Sequence, residues 1–324
     1  MRLLLVELSR FRSRRAIALM LLAAALLTAI LAATTIWDTR PVSDQDMANA
    51  QAQVEAELQR PRFQRELTRC ERHPGRYMGP GTSADECEEM MTPRVDWFLE
   101  RNVLSLRNVQ GDTGLGALMI VTAIMVIAGT TFAGADWASG SMSNQLIFEP
   151  RRPKVWLAKG GAVLLGTLVA TAVILAAFWL AMYLVAESRG ISTGATVQES
   201  IRWMVGRGVL LAGFGALGGY ALTMLLRHTV GTLAVMFAYA VGGEALTASL
   251  PIEGVGRWSL ANNVFGWLYD GHRYYDNSLP CPPRGDMCNQ SAMMTLGEGV
   301  TYLGVVLLVV LVLSVVLFRR RDIP

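Results

Sequence analysis

The sequence predicts an all-α integral membrane protein of about six transmembrane helices, with both termini on the cytoplasmic side. Hydrophobic residues make up 52% of the 324 positions and charged residues only 17%. Several apolar runs are long enough to cross the ~30 Å hydrocarbon core, which takes roughly 20 helical residues. Arginines gather at the ends of these runs, as the positive-inside rule requires of a cytoplasmic face. The net charge of +3 therefore reflects topology and does not indicate nucleic-acid binding.

The first 15 residues have the pattern of a short amphipathic helix lying in the membrane interface. The apolar residues are Leu3, Leu4, Leu8 and Phe11, and the polar ones are Arg2, Glu7, Arg10, Arg12 and Arg14. The apolar run that follows, 16–37, is too long for the ~7–15-residue core of a signal peptide. It is predicted to be an uncleaved first span.

A large insertion, 38–112, is predicted to lie outside the membrane, with a helix over 48–72 that Pro61 interrupts or begins. Its mixed charges are most simply a solvated surface, and an external cap is the alternative. All the cysteines, Cys70, Cys87, Cys281 and Cys288, fall in segments predicted to be external, which favours disulfides. Turns bring Cys70 near Cys87 and Cys281 near Cys288, although four cysteines allow three pairings.

The remaining spans are predicted over 114–135, 155–186, 205–226, 229–250 and 299–318, the last ending on Arg319, Arg320 and Arg321. Residues 213–218 formally match the dinucleotide-binding pattern GxGxxG. Inside a span such glycines indicate close helix packing and not a nucleotide site. The segment 251–298 is predicted to be external, with a short re-entrant or interfacial helix near Asn262 and Asn263.

Glu244 is the acidic residue well inside an apolar run. A carboxylate in a membrane is costly unless it is neutral, paired or facing water, so Glu244 is a candidate intramembrane polar site. The alternative is structural: a bond to a neighbouring hydroxyl or backbone group near the outer end of the span, where the cost is lower.

The central loop, residues 136–159, is polar and basic and joins the second and third spans on one side. Residues 139–148 are predicted to form a short interfacial helix that Pro150 stops. Arg151, Arg152, Lys154 and Lys159 cluster where the chain re-enters the membrane, which assigns this side to the cytoplasm. The loop either only sets topology or is a docking site for a cytosolic partner.

The order of residues in the central loop resembles the first cytoplasmic loop of ATP-binding-cassette (ABC) exporter permeases of the type-2 class. The resemblance rests on Asp136, Gly140-Ser141, Leu146-Ile147, Pro150-Arg151-Arg152 and Lys159, with Asp136 where the family often has Glu. It implies that 136–154 carries a coupling helix, which sits in a groove of a separate ATPase subunit, and that the N-terminal helix is the family's elbow helix. The coupling surface implied for this chain is Gly140, Ser141, Gln145, Leu146, Phe148, Pro150 and Arg151.

The resemblance also implies that residues 1–324 form one permease domain in a bacterial plasma membrane, paired with a second copy or a homologous permease. The sequence has no GxxxxGK[ST] phosphate-binding loop, so ATP and Mg²⁺ would belong to the partner and the chain is not itself the ATPase. His73, His228 and His272 lie far apart, and no catalytic or metal-binding pattern is found in the sequence. The alternatives are a gradient-driven carrier or channel that uses Glu244 and a membrane-anchored sensory or structural protein. The exported substrate is not indicated.

Overall fold

The computed structural model describes residues 2–77, 83–99, 103–250, 252–276, 279 and 290–320. Cys281 and Cys288, for which a disulfide was predicted, lie outside the described residues. The helices of the N-terminal part are α1 (Arg2–Ser13), α2 (Arg15–Asp38), α3 (Asp44–Leu58), α4 (Pro61–Arg72), α5 (Pro74–Tyr77), α6 (Ala84–Met91) and α7 (Leu106–Gly111). Those that follow are α8 (Thr113–Ala138), α9 (Ser141–Phe148), α10 (Arg152–Ser188), α11 (Ala195–Leu226), α12 (Thr229–Phe237), α13 (Gly243–Ser249), α14 (Leu260–Tyr269) and α15 (Leu296–Arg320).

Six helical segments of the described chain are long and apolar enough to span a membrane, as predicted. They are Arg15–Asp38, Leu106–Ala138, Arg152–Ser188, Ala195–Leu226, Thr229–Ser249 and Leu296–Arg320. The fourth begins at Ala195, before the predicted start at 205, since the chain turns back directly after Gly194, its N-cap residue. The fifth is α12 and α13 joined by a π-helical turn over Ala238–Gly242. The chain is therefore a multi-pass membrane protein of mostly helical structure.

The chain divides into two compact units, Thr34–Ser105 and the remainder, Met1–Ala33 with Leu106–Pro324. In the smaller unit, Pro61 occupies the first turn of α4, where its missing N–H costs nothing. Cys70 on α4 and Cys87 on α6 form a disulfide, with 5.9 Å between their Cα atoms. Both cysteines are fully buried, and the predicted pairing of these two residues is confirmed.

The larger unit is built around the contact between α8 and α11, where glycines allow the helix backbones to approach. A Cβ atom added at Gly129 of α8 would overlap the carbonyl oxygen of Ala216 on α11. Gly213, within the GxGxxG match, packs against the side chain of Leu168 on α10. These glycines serve helix packing, as predicted.

Gly129→Ala is expected to lower the free energy of unfolding by about 1–3 kcal/mol, because backbone atoms of α11 must move to admit one methyl group. Gly116→Ala, on the same helix, is the matched control, since nothing lies within 4 Å of its added Cβ atom. Both variants gain the same helix propensity on replacing glycine with alanine, so the difference between them reports the packing at position 129. Unfolding midpoints in detergent measure both effects, and equal midpoints would contradict close packing at Gly129.

The prediction of an all-α chain was incomplete, since β1 (His272–Tyr275) and β2 (Ser291–Met294) form a two-stranded antiparallel sheet. His272 pairs with Met294 and Tyr275 with Ser291. Tyr274 and Met294 are buried, and their neighbours along each strand are more exposed. Two strands of four residues, far apart in sequence, are too short for an alternating pattern to predict them.

Candidate functional site

The central loop folds as a short helix between two spans. The chain leaves α8 through Gly140, whose positive φ of 68° is a left-handed conformation that glycine adopts without steric cost. Helix α9 then runs from Ser141 to Phe148, and α10 begins at Arg152. The predicted short helix and its stop before Pro150 are confirmed.

One end of α9 carries an exposed apolar pair. The side chain of Phe148 is 90% exposed and that of Ile147 is 75% exposed, whereas Met142 at the start of the helix is buried. Leu146 is half-buried, and Gly140, Pro150 and Arg151 of the predicted coupling surface are exposed. Neighbouring large apolar side chains on an otherwise polar loop are typical of a binding surface.

Beneath α9 lies a buried group of charged residues, called here the ionic cluster: Glu7, Arg10, Arg14, Asp136 and Lys159. Glu7, Asp136 and Lys159 are fully buried. The Lys159 ammonium group lies 3.0 Å from Oε2 of Glu7 and also pairs with Oδ2 of Asp136. Arg10 lies 3.0 Å from Oε1 of Glu7, and Arg14 pairs with Oδ1 of Asp136.

The ionic cluster satisfies its buried charges from several directions. Arg14 also donates a 2.7 Å hydrogen bond to the carbonyl oxygen of Phe132. The Phe132 ring lies 4.7 Å from the Arg14 guanidinium carbon and 5.5 Å from the Lys159 nitrogen, within the range of cation–π attraction. Buried charges remain stable only when paired and hydrogen-bonded in this way, and removing one partner is strongly destabilising.

Two residues of α9 bind the ionic cluster directly. Gln145 donates a 2.6 Å hydrogen bond to Oε1 of Glu7, and the Ser141 hydroxyl donates a 3.1 Å bond to Oδ1 of Asp136. Ser141 and Gln145, which the sequence placed on the partner-facing surface, thus make contacts within the chain. The cluster joins α9 to α1, α8 and α10, since each of these helices supplies one of its fully buried residues.

The start of α10 is in turn fixed against two other spans. The Tyr220 hydroxyl of α11 donates a 2.9 Å hydrogen bond to the carbonyl oxygen of Trp156. The indole nitrogen of Trp156 donates a 3.1 Å bond to the Ser314 hydroxyl of α15. Hydrogen bonds thus connect α9, through the ionic cluster, to α10 and from there to α11 and α15.

The structure corrects two expectations about charged residues. Glu7, assigned by sequence to the polar face of the N-terminal helix, points into the protein and is fully buried. Lys159, grouped by sequence with Arg151, Arg152 and Lys154 at the point where the chain re-enters the membrane, is also fully buried. Lys159 pairs with carboxylates inside the protein and is not a surface charge.

Glu244 makes the contacts of a helix cap. Its carboxylate accepts 2.8 Å hydrogen bonds from the Ser259 hydroxyl and from the backbone N–H of Ala261, at the start of α14. Ser259 itself accepts a hydrogen bond from the backbone N–H of Asn262. A carboxylate at a helix N-terminus satisfies donors that have no intrahelical partner. These contacts favour the structural interpretation of Glu244.

Glu244→Gln is expected to cost about 1 kcal/mol of unfolding free energy, because the amide keeps one acceptor oxygen for two donors. Glu253→Gln, at an exposed position of the same region, is the matched control and should be neutral. Denaturant unfolding in detergent measures both. A stability equal to that of the Glu253 variant would show that the cap contributes nothing.

Among the described residues, no group of three or more His, Cys, Asp or Glu side chains could hold a metal ion. A scan against protein-family models, a search of curated proteins and a search of solved structures each found no match to this chain. The candidate site is therefore defined by its own geometry. It is an exposed apolar pair on α9, whose helix is joined through buried charges to α1, α8 and α10.

Proposed function

We propose that this chain is the membrane-spanning permease subunit of a type-2 ABC exporter, and that α9 is the helix on which a separate ATPase acts. The observation that carries the proposal is the two-sided character of α9. Phe148 and Ile147 are exposed at its end, while Ser141 and Gln145 bind the buried ionic cluster. A loop that only set topology would need neither the exposed apolar pair nor the buried anchor.

In this proposal the ATPase binds the cytoplasmic side of α9, where Phe148 and Ile147 insert into a groove of the partner. Leu146, Pro150, Arg151 and Gly140 form the rest of the contact. Ser141 and Gln145 hold α9 in place from inside. The family resemblance places Ser141 and Gln145 on the coupling surface, whereas here they anchor α9 inside the chain.

ATP and Mg²⁺ bind to the partner, and closure of two ATPase subunits displaces α9 as a rigid body. The ionic cluster passes this displacement to α1, α8 and α10, because Glu7, Asp136 and Lys159 belong to these helices. A second copy of the chain, or a homologous permease, completes the path across the bacterial plasma membrane. The substrate is not assigned.

A gradient-driven carrier that uses Glu244 is less well supported. The carboxylate of Glu244 is already engaged by Ser259 and Ala261 at the start of α14. A transported proton or cation would have to displace both hydrogen bonds and leave the end of α14 without its cap. The exporter proposal requires no such rearrangement.

The proposal is tested by co-expressing the tagged full chain with an ATPase that carries a GxxxxGK[ST] motif, if a gene for one lies beside that of the chain, and purifying the chain in detergent. A stoichiometric complex that hydrolyses ATP is expected. A well-folded chain that binds no ATPase, or substrate transport by the chain alone in liposomes, would overturn the proposal.

A further inference from the structure

A basic groove lies beside the central loop, where α10 begins and α15 ends. Its cavity is about 580 Å³ in volume and open to the surface. The residues lining it, which define the basic groove, are Pro150, Arg151, Arg152, Pro153, Lys154 and Arg319. Three of the six are arginines. Arg151 directly precedes α10, Arg152 is its first residue, and Arg319 lies near the end of α15.

The groove is built by contacts between α10 and α15. The Arg152 guanidinium donates hydrogen bonds to the carbonyl oxygens of Phe318 and Arg319, at 3.5 and 3.3 Å. One turn further into α10, the bond from Trp156 to Ser314 fixes the same two helices together. Arg319 and Arg151 both line the groove, and both side chains are exposed.

Among the described residues, the lining of the groove contains basic side chains and no acidic one. Glu149, an acidic residue beside it, forms an ion pair with Lys154. The hydrogen bond from Lys154 lowers the pKa of Glu149, so this carboxylate stays ionised and offsets the charge of Lys154. Arg151 and Arg319 add exposed guanidinium groups to the lining, and such groups suit phosphate oxygens because they can donate two parallel hydrogen bonds.

The groove is expected at the level of lipid headgroups. The candidate spanning helix α10 begins at Arg152 and α15 ends at Arg320, and the apolar residues of both start within one turn of the groove, at Val155 and Phe318. Val316 and Val312 lie three and seven residues before Arg319, on the same face of α15. Their side chains are 39% and 51% exposed, which leaves an apolar strip leading from the groove toward the membrane interior.

We propose that the basic groove binds the phosphodiester headgroup of an anionic phospholipid, with an acyl chain lying along Val316 and Val312. Arg151, beside the start of α10, and Arg319 of α15 contact the phosphate. The proposal goes beyond the transport function and does not depend on it, since it requires no ATPase. Bound lipid would join the start of α10 to the end of α15 on the side of the chain that carries α9.

The proposal is tested by native mass spectrometry of the purified full chain, titrated with phosphatidylglycerol and with phosphatidylcholine of identical acyl chains. We expect the chain to prefer phosphatidylglycerol. Arg319→Gln should weaken its binding about fivefold, the usual contribution of one basic residue at a membrane surface. Arg320→Gln is the matched control, because Arg320 is the exposed neighbour on α15 outside the groove lining.

Equal affinity for the two lipids would overturn the proposal. So would equal losses in the Arg319 and Arg320 variants, which would indicate a general effect of charge at the chain end. Inorganic phosphate is titrated in a separate experiment. Phosphate binding as tight as that of phosphatidylglycerol, and equally sensitive to Arg319→Gln, would identify a free-anion site in place of a lipid site.

Discussion

Lys159→Met is expected to lower the free energy of unfolding by about 3–5 kcal/mol. The change leaves the carboxylates of Glu7 and Asp136, both fully buried, without the cation that they share. Since folded domains are typically stable by only about 5–15 kcal/mol, the variant should accumulate poorly in membranes. Unfolding in detergent, followed by tryptophan fluorescence, measures the loss.

Lys154→Met is the matched control for this change. Lys154 also pairs with a carboxylate, Glu149, but its side chain is 53% exposed, so the loss should be at most about 1 kcal/mol. Arg10 and Arg14 still pair with Glu7 and Asp136 in the Lys159→Met variant. Adding Glu7→Gln and Asp136→Asn would remove the partners of these two arginines and should therefore not restore stability. Equal stability of the two single lysine variants would show that the ionic cluster does not hold the site together.

Phe148→Asp is expected to weaken ATPase binding by about 2–4 kcal/mol, roughly 30-fold to 1,000-fold in dissociation constant. The change places a charge where the proposal puts a buried aromatic anchor. The fold should be unaffected, because the Phe148 side chain is 90% exposed in the chain alone. The dissociation constant for the purified ATPase, measured on the chain in nanodiscs, checks this result.

Met90→Asp is the matched control, since Met90 is an exposed apolar residue, 53% exposed, in the unit Thr34–Ser105. It receives the same charge at a position predicted to lie on the other side of the membrane. Its affinity for the ATPase should equal that of the unchanged chain. An unaltered dissociation constant for Phe148→Asp would remove α9 from the partner interface.

Those parts of the fold that depend on local pattern were predictable from the sequence. Six spans follow from the length of the apolar runs, and α9 follows from a short apolar-polar segment ended by Pro150. The Cys70–Cys87 disulfide follows from turns between two nearby cysteines. In each case the residues that decide the structure are close together in the chain.

The ionic cluster depends on contacts that one sequence does not reveal. Glu7 and Lys159 are 152 positions apart, and no local pattern pairs them. Glu7 was expected on the polar face of its helix, and Lys159 at the point where the chain re-enters the membrane. A local signal for Glu7 was nevertheless present. It stands four residues after Leu3 and four before Phe11, on the same face of the helix as those apolar residues, and this spacing predicts burial.

The role of Glu244 and the pairing of β1 with β2 also depend on contacts between residues that are distant in the sequence. The sequence identified Glu244 as unusual, but its role as a cap depends on Ser259 and Ala261, which reach it only when α14 folds back. The strands β1 and β2 are four residues each and pair across a long connection. Local propensity is weak at that length, and tertiary pairing determines the outcome.

If α9 is the coupling helix, a nucleotide-hydrolysing partner binds its exposed end, at Ile147 and Phe148. The most direct test replaces Phe148 with a photo-crosslinking amino acid in the full chain, in living cells, and identifies the adduct by mass spectrometry. We expect a protein adduct whose sequence contains a GxxxxGK[ST] motif, with no such adduct from the same probe at Met90. Adducts at position 148 with lipid alone, or with this chain's own residues alone, would show that α9 is not the site of the ATPase.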